Sequence, residues 1–329
     1  MQIGFITGVF GGGRWCERLI HIPHWLLEKI EASVIKHILQ YRQLKKLLST
    51  YVLPLIEKGQ NTQRRIHSTF IHNTVLTGRL ASKNPNLQNI PVSEFRRAFI
   101  APDAESVLIS FDYSQIELRL AAHISQEPAL IAAFKNGEDI HSSTALQLFG
   151  TVTPETRRHA KVVNFGILYG MGAMGLADSL GVSKAQAQDI IDQYFVKYPR
   201  IKDYIERQKY LAKTKGFVET IHHKRIYIQH IQDRFAGMAE RQSINAPLQG
   251  SSADLIKMAM TKIYHWLIDE RLKSKMILQI HDELIFETPL EEQTLILTQI
   301  KKAMETIDHL SVPLVVNANV GRNWFEVSK

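Results

Sequence analysis

The stretch MILQIHDELIFE, residues 276–287, predicts a β-hairpin with an acidic turn. Both of its arms are almost wholly apolar, which is typical of buried strands. His281, Asp282 and Glu283 lie between the arms, and no Gly or Asn eases the turn. Two adjacent carboxylates repel each other and disfavour apolar neighbours, so this turn indicates more than a chain reversal.

A second apolar run, VLISFD at 107–112, ends in Asp112. If this strand lies beside the hairpin, Asp112 meets Asp282 and Glu283 at one edge of the sheet. Carboxylate oxygens suit a hard cation such as Mg²⁺. Two such ions about 3.5–4 Å apart would stabilise both the attacking and the leaving oxygen of a phosphoryl transfer. The alternative is that each acid simply ends its strand in solvent, but the joint placement on apolar strands favours a metal site.

The segment TPETRRHAKVVNFGILYG, residues 153–170, predicts a helix that binds a phosphorylated ligand. Thr153 can cap this helix, and Pro154 suits its first turn. Four side chains then recur every four residues and form a slowly winding stripe: Arg157, Lys161, Phe165 and Tyr169. Two cations followed by two aromatic rings match a ligand with phosphates at one end and a flat base and sugar at the other. An amphipathic helix with a basic rim is the alternative.

Two further patterns suggest different chemistry. Gly170, Gly172 and Gly175 match the G-x-G-x-x-G pattern of dinucleotide-binding oxidoreductases, which requires a strand before the glycines. The capped helix predicted upstream argues against that strand. His222 and His223 suggest a metal, but no Cys or further His stands at zinc spacing, so we expect a surface pair.

The composition is that of a globular protein with a polyanionic partner. The 329 residues include 40 Lys and Arg against 32 Asp and Glu, which gives a net charge of +8. Such an excess favours a polyanion. A single cysteine, Cys16, excludes an internal disulfide and suits a reducing compartment. No run approaches the ~20 apolar residues of a membrane helix, and the start of the chain lacks a signal pattern, so we expect a cytoplasmic protein.

The order of predicted elements indicates an α+β fold, because strands precede and follow a long helix-rich segment. A helix is predicted from Glu28 to Tyr51, with Pro54 just past its end. The helix-rich segment runs to about Leu267 and is expected to break at Gly137, Gly150, Pro199, Gly216 and Pro247. The other predicted elements are strands in 64–80, 107–112, 276–280, 283–287 and 312–320, a loop at 82–91, and a helix from about Leu290 to Ile307.

Taken together, these motifs closely resemble the polymerase region of family A DNA polymerases, the bacterial DNA polymerase I family. FDYSQIELRLAAH is similar to motif A of that family, RRHAKVVNFGILYG to motif B, and LQIHDELIFE to motif C. TGRLASKNPNLQNIP and INAPLQGSSADLIK match further family segments. The resemblance runs from about residue 26 to the end. It implies a right-hand polymerase fold with an antiparallel palm sheet, helical fingers and a partial helical thumb.

The resemblance also implies an activity and its partners. Template-directed DNA synthesis would add dNTPs to the 3′-hydroxyl of a primer–template DNA by phosphoryl transfer with two Mg²⁺ ions. We expect a nucleoid-associated monomer that contacts no membrane. The alternatives are a catalytically weak or inactive DNA-binding remnant of a polymerase and a dinucleotide-binding oxidoreductase.

Residue roles follow by position in the motifs. Asp112 and Asp282 resemble the metal ligands, Glu283 an accessory acid, and Lys161 a general acid to the pyrophosphate. Glu117 resembles a steric gate against a ribose 2′-hydroxyl. The implied dNTP-binding residues are Arg157, Lys161, Phe165, Tyr169, Glu117, His141 and Gln115. The implied contacts with primer–template DNA, polar side chains suited to backbone and minor-groove acceptors, are Arg79, Asn86, Gln88, Arg241, Asn245, Gln249 and His281.

The implied domain order departs from the family at its start. Family members usually carry an exonuclease or exonuclease-like domain before the thumb; we expect no counterpart of it in this sequence, in which residues 1–25 do not resemble the first thumb helices. We expect a shortened thumb that grips DNA weakly. The predicted division is an atypical segment at 1–25, a partial thumb at 26–78, palm at 79–117, fingers at 118–245 and palm at 246–329.

Overall fold

The hairpin predicted at 276–287 forms in the computed structural model of the chain, which describes residues 33–60, 64–229, 231 and 236–328. The predicted segment 1–25, the predicted helix start at Glu28 and Cys16 lie outside the described residues. The chain forms two compact units. The first holds the described residues up to Thr69 together with Lys83–Asn86, and the second holds Phe70–Ser82 and Leu87–Lys329.

The first unit contains a helix that continues past its predicted end. Pro54 was expected to follow the helix, and this expectation is wrong, because helical backbone extends to Gln60. A π-helical turn precedes Pro54, and within it the Leu53 N–H donates to the Leu48 carbonyl. Pro54 therefore occupies the first turn of a new α-segment, where a proline N–H is not needed. The elements are α1 (Ser33–Leu47), the π turn (Leu48–Val52) and α2 (Leu53–Gln60).

The second unit is built on a four-stranded antiparallel sheet in the order β6 (Lys275–Ile280), β7 (Glu283–Pro289), β3 (Ser106–Tyr113) and β8 (Val316–Gly321). Its central strand β3 is buried at all eight positions, as the apolar run VLISF predicts. Phe111 of β3 packs edge-to-face on Phe286 of β7, with ring centroids 5.6 Å apart. The strands are β1 (Thr69–Ile71), β2 (Ala81–Lys83), β3 (Ser106–Tyr113), β4 (Phe217–Glu219), β5 (Arg225–Tyr227), β6 (Lys275–Ile280), β7 (Glu283–Pro289) and β8 (Val316–Gly321).

Two strand predictions are only partly correct. Only Thr69–Ile71 of the segment 64–80 forms a strand, and it pairs with β2, which overlaps the predicted loop. The predicted strand 312–320 begins only at Val316. Pro313 cannot donate to a ladder, and the Arg119 guanidinium takes its carbonyl at 2.6 Å.

Ten α-helices follow β3 in the described part of the second unit. Most predicted breaks are confirmed: Gly150 and Gly216 end helices with φ of 72° and 75°, and Pro199 begins one. The helices are α3 (Ile116–Ser125), α4 (Pro128–Lys135), α5 (Ile140–Phe149), α6 (Pro154–Leu168), α7 (Ala173–Leu180), α8 (Lys184–Lys197), α9 (Pro199–Lys215), α10 (Ala236–Asp269), α11 (Gln293–Glu305) and, after β8, the short α12 (Trp324–Val327).

The predicted break at Pro247 is wrong, because Pro247 lies inside α10. An interior proline costs a helix about 3 kcal/mol. Here Ala246, Pro247 and Leu248 are all buried, so tertiary packing offsets that cost.

The glycine pattern lies between two helices. Gly170 follows α6 and adopts φ of 73°, and α7 begins at Ala173. A helix therefore stands where dinucleotide binding requires a strand, and the oxidoreductase hypothesis is wrong. None of the helices in the described residues has both the length and the apolar character needed to cross a membrane.

Candidate active site

The three predicted carboxylates lie at one end of the sheet. Asp112 is the Cα partner of Glu283 across β3 and β7, and it faces Asn317 on β8. The Tyr113 N–H donates to the Asp282 carbonyl at 3.2 Å, which fixes the hairpin turn against the end of β3. The predicted adjacency of the strand and the hairpin is thereby confirmed.

The hairpin turn forms without a Gly or Asn, because His281 takes the left-handed conformation that those residues usually supply. His281 adopts φ of 55°, a left-handed conformation that is strained for a histidine. The side chain of His281 is exposed, whereas Asp282 and Glu283 are half-buried. The strained residue thus projects into solvent while the acids remain at the sheet.

The two adjacent acids have different surroundings. Burial raises the pKa of Glu283, although the Ser110 hydroxyl, which donates to Oε1, and the Arg96 guanidinium oppose the shift. Burial also raises the pKa of Asp282, and the Glu117 carboxylate adds repulsion. The Glu283 carboxylate therefore accepts a hydrogen bond from Ser110 of β3, whereas the Asp282 carboxylate is repelled by that of Glu117.

Within the described residues, no three His, Cys, Asp or Glu side chains form a ready metal site. Glu283 thus does not complete a three-carboxylate cluster in this conformation. Asp112 is only 4% exposed, and the Asp282 carboxylate lies under burial and like-charge repulsion that a cation would relieve. The pair of oxygen donors fits Mg²⁺, which keeps several ligands for water and substrate phosphates.

Glu117 joins the sheet end to the capped helix. Arg79 Nη2 donates to Glu117 Oε1, and the Tyr169 hydroxyl donates to Oε2. Burial, together with Glu117, raises the pKa of Tyr169, so the hydroxyl stays protonated and remains a donor. Tyr169 is the C-terminal cap of α6, so this bond brings the end of that helix to the carboxylates.

The predicted stripe lies on α6 with a basic end and an aromatic end. Thr153 and Thr156 form a reciprocal capping box at the start, as the sequence predicts for Thr153. Arg157 and Lys161 are exposed, and Phe165 and Tyr169 are half-buried with ring centroids 5.9 Å apart.

Asp139 is a residue that the sequence reasoning missed. Its Oδ2 accepts from Arg157 Nε at 2.6 Å. Burial opposes its ionisation, but hydrogen bonds from Arg157, Ser142 and the His141 N–H outweigh burial and lower the pKa to about 2. An Asp directly before a helical pattern was the available signal, since Asp139 caps α5.

His141 is 3% exposed, and its Nδ1 lies 3.0 Å from Asn164 Nδ2. Burial lowers its pKa to about 4, against the attraction of Asp139. The ring is neutral near pH 7, so a phosphate contact from it would be a hydrogen bond rather than an ion pair.

The implied DNA contacts are spread over several elements. Asn86 lies in the first compact unit and the other six in the second. Gln88 Nε2 donates to Gln279 Oε1 at 2.9 Å, and Asn245 Nδ2 donates to the Tyr169 carbonyl at 3.4 Å. Arg241 and Gln249 project from α10 with Asn245, and Gln115 caps α3 in a left-handed conformation with φ of 53°.

Residues 21–326 match the family described as DNA polymerase family A. The chain belongs to that family. It is 46% identical over 306 residues to DNA polymerase I of Caldicellulosiruptor bescii, which covers 89% of this chain and 36% of the relative. It is 46% identical over 316 residues to DNA polymerase I of Lactococcus lactis subsp. cremoris, and this match covers 92% of this chain and 36% of the relative. The chain therefore spans about a third of the length of these relatives.

A solved structure shares the fold. The POL domain of Pol1 from M. smegmatis, in complex with DNA primer–template and dNTP, superposes with a TM-score of 0.87 at 37% identity. The match covers 93% of this chain and 56% of that chain. The predicted α+β, right-hand polymerase fold is confirmed. The division into thumb, palm and fingers stays a prediction.

Proposed function

We propose that this chain carries the polymerase region of an enzyme that adds dNTPs to a primer 3′-hydroxyl under the direction of a template. The observation that supports this most strongly is the strand register that sets Asp112 opposite Glu283 and beside the Asp282 turn. The bond between Tyr169 and Glu117 brings α6 to the same place. Nucleotidyl transfer requires acidic oxygens that bind metal ions, and cationic and aromatic side chains that bind the nucleotide. The sheet end supplies the first set and α6 the second.

Asp112 and Asp282 would hold two Mg²⁺ ions, with Glu283 as an accessory acid. When bound, such a pair of ions activates the attacking hydroxyl and stabilises the leaving pyrophosphate. The chain's own contribution is to hold the buried Asp112 at the end of β3 and the half-buried Asp282 in the adjoining turn, where water competes poorly.

The α6 stripe would bind the nucleotide. Arg157 and Lys161 are exposed cations one turn apart and suit the triphosphate. Lys161 would act as the general acid to the departing pyrophosphate. Phe165 and Tyr169 offer aromatic faces to the sugar and base. Glu117, His141 and Gln115 complete the proposed nucleotide site, with Glu117 crowding a ribose 2′-hydroxyl.

In the second unit, duplex DNA would contact the polar side chains of Arg79, Gln88, Arg241, Asn245, Gln249 and His281. Asn86 of the first unit is a separate proposed contact. A net charge of +8 favours backbone binding without sequence readout. We assign 26–78 to a thumb, 79–117 and 246–329 to a palm, and 118–245 to fingers. We place the protein in the bacterial cytoplasm at the nucleoid, acting as a monomer.

Primer extension with Mg²⁺ tests the proposal. We expect Asp112→Ala and Asp282→Ala each to abolish extension while the thermal unfolding midpoint shows an intact fold. Asp192→Ala, which removes an exposed acid from α8, is the matched control and should extend normally. Extension by either site variant would overturn the metal assignment, and its absence in the wild-type chain would overturn the proposed activity.

A further inference from the structure

Two lysine ammonium groups from different elements meet at Gly78, outside the carboxylate site. A Cβ built on Gly78 would lie 1.8 Å from Lys224 Nζ and 3.9 Å from Lys257 Nζ, so both nitrogens lie within 4 Å of one point. Lys224 stands between β4 and β5, and Lys257 lies on α10. Gly78 adopts φ of 83°, and its missing side chain is what lets Lys224 approach the backbone this closely.

Within the described part of the chain, the contacts of this pair compensate only half of its positive charge. Lys224 Nζ lies 3.3 Å from the Thr77 carbonyl and 3.9 Å from Asp254 Oδ1. Burial lowers the pKa of Lys257, and the neighbouring Lys224 lowers it further, against the attraction of Asp254. One carboxylate thus faces two ammonium groups, and one positive charge is left over. A single negative charge of a ligand would balance the cluster.

The segment whose carbonyl Lys224 contacts also carries a hydroxyl donor. Thr77 Oγ1 is buried, and among the described residues it has no hydrogen-bond partner. A buried hydroxyl without a partner is costly unless a ligand or water engages it. Thr77 directly precedes Gly78, so its hydroxyl belongs to the chain segment that the two lysines flank.

We propose that Lys224, Lys257 and the Thr77 hydroxyl bind one backbone phosphate of duplex DNA. A phosphodiester carries one negative charge and accepts hydrogen bonds, which matches the uncompensated ammonium charge and the unused hydroxyl. Arg79, a proposed DNA contact, is the next residue along the chain. The proposal rests on the proposed function, since DNA is the substrate there. The competing explanation is that Lys224 only ties the segment around Thr77 to α10.

Equilibrium binding to a fluorescent primer–template duplex, without dNTP or divalent metal, tests this site. Binding is measured by anisotropy at several salt concentrations for the wild type, Lys224→Ala, Lys257→Ala and the double variant. Each contacted phosphate contributes a slope of about 0.9 in log affinity against log salt. We expect each single variant to lose about one contact and to bind on the order of tenfold more weakly. Because both lysines serve one phosphate, the double variant should lose no more slope than either single variant.

Three further arms make the result decisive. Lys184→Ala removes an exposed charge at the start of α8 and should leave the slope unchanged. Thr77→Val keeps the shape and should weaken binding severalfold without changing the slope, because no charge is lost. Inorganic phosphate at constant ionic strength should displace duplex equally from the wild type and from Lys257→Ala.

Several outcomes would overturn the site. The first is a salt slope in the lysine variants equal to that of Lys184→Ala. The second is a double variant that loses two contacts. The third is phosphate competition seen only in the wild type, because that result would make the lysine pair a site for free phosphate. Primer extension by the wild type is measured in parallel. Extension with unchanged slopes would overturn the phosphate site alone, whereas a wild type that binds no duplex would overturn the proposed function as well.

Discussion

The Tyr169 hydroxyl donates a hydrogen bond to the Glu117 carboxylate, and this bond joins the end of α6 to the first turn of α3. Arg79 engages the other carboxylate oxygen of Glu117. Both oxygens are therefore occupied, and any ligand that needs the Tyr169 ring to move must break a charge-assisted bond. The bond to Glu117 therefore holds the Tyr169 ring, at the aromatic end of the stripe, in place.

Tyr169→Phe removes the hydroxyl and keeps the ring. Hydrogen bonds to charged groups contribute about 1.5–3 kcal/mol, so we expect the free energy of unfolding to fall by about 1–2 kcal/mol. Chemical denaturation measures the change. Tyr210→Phe, at a ring that is 66% exposed on α9, is the control and should be neutral. Equal losses in both variants would show that the bond to Glu117 stabilises nothing.

The parts of the site that the sequence predicts are those set by local pattern. The apolar arms of 276–287 and 107–112 carry the acids to strand ends, and antiparallel pairing of β3 with β7 brings those ends together. The capping box of α6 and its four-residue spacing are likewise local, because backbone geometry alone decides which side chains share a helix face.

The partners of those side chains could not be predicted. Glu117 bonds to Arg79 and Tyr169, which are 38 and 52 residues away in sequence, and no pattern within a helix or strand encodes such pairs. The prediction of a helix break at Pro247 was wrong for a related reason, since burial of Ala246, Pro247 and Leu248 outweighs a local preference. The fold class followed from element order, but side-chain pairing depends on packing.

Asp139→Asn should free Arg157 while keeping the cap of α5, because Asn caps helices as well as Asp. The pKa of Asp139 is lowered to about 2, so its ionised form stabilises the fold above the unfolded value of 3.8. This contribution is lost as pH falls towards 2. Both partners are partly exposed, which limits the loss at pH 7 to under about 1 kcal/mol.

Two measurements check the Asp139 prediction. Unfolding of the wild type and Asp139→Asn should differ at pH 7 and converge near pH 2. The KM for dNTP should fall in the variant, because Arg157 no longer has to leave an acid. Ser142→Ala removes another donor to Asp139 without touching Arg157 and should leave KM unchanged. A raised KM in Asp139→Asn would contradict the idea of competition.

Asp282→Asn should stabilise the fold while abolishing extension. Burial raises the pKa of Asp282, so its ionised form is disfavoured in the folded chain at pH 7. Without divalent metal we expect a higher unfolding midpoint, on the order of a few degrees. The gain should vanish as pH falls below the ordinary carboxyl value, where the wild-type side chain is neutral in both states. Mg²⁺ should raise the midpoint of the wild type only, and an equal rise in both proteins would count against Asp282 as a ligand.

Gly250 of α10 permits a close approach between that helix and the β4–β5 ribbon. A Cβ there would stand 2.7 Å from Thr220 Cγ2 and 2.8 Å from Ile226 Cδ1. Both neighbours are buried, so Gly250→Ala should force a shift and lower the free energy of unfolding by about 1–3 kcal/mol.

Gly237 of the same helix is the matched control for that substitution. Among the residues that the structure describes, its Cβ would meet Arg241 Nη1 alone, at 4.0 Å, so Gly237→Ala should be neutral or stabilise by up to about 1 kcal/mol. Chemical denaturation of both variants gives the comparison, and primer–template binding should weaken in Gly250→Ala, since its neighbour Gln249 shifts with the helix. If the two alanine variants unfolded alike, close packing at Gly250 would not be what holds α10 against the ribbon.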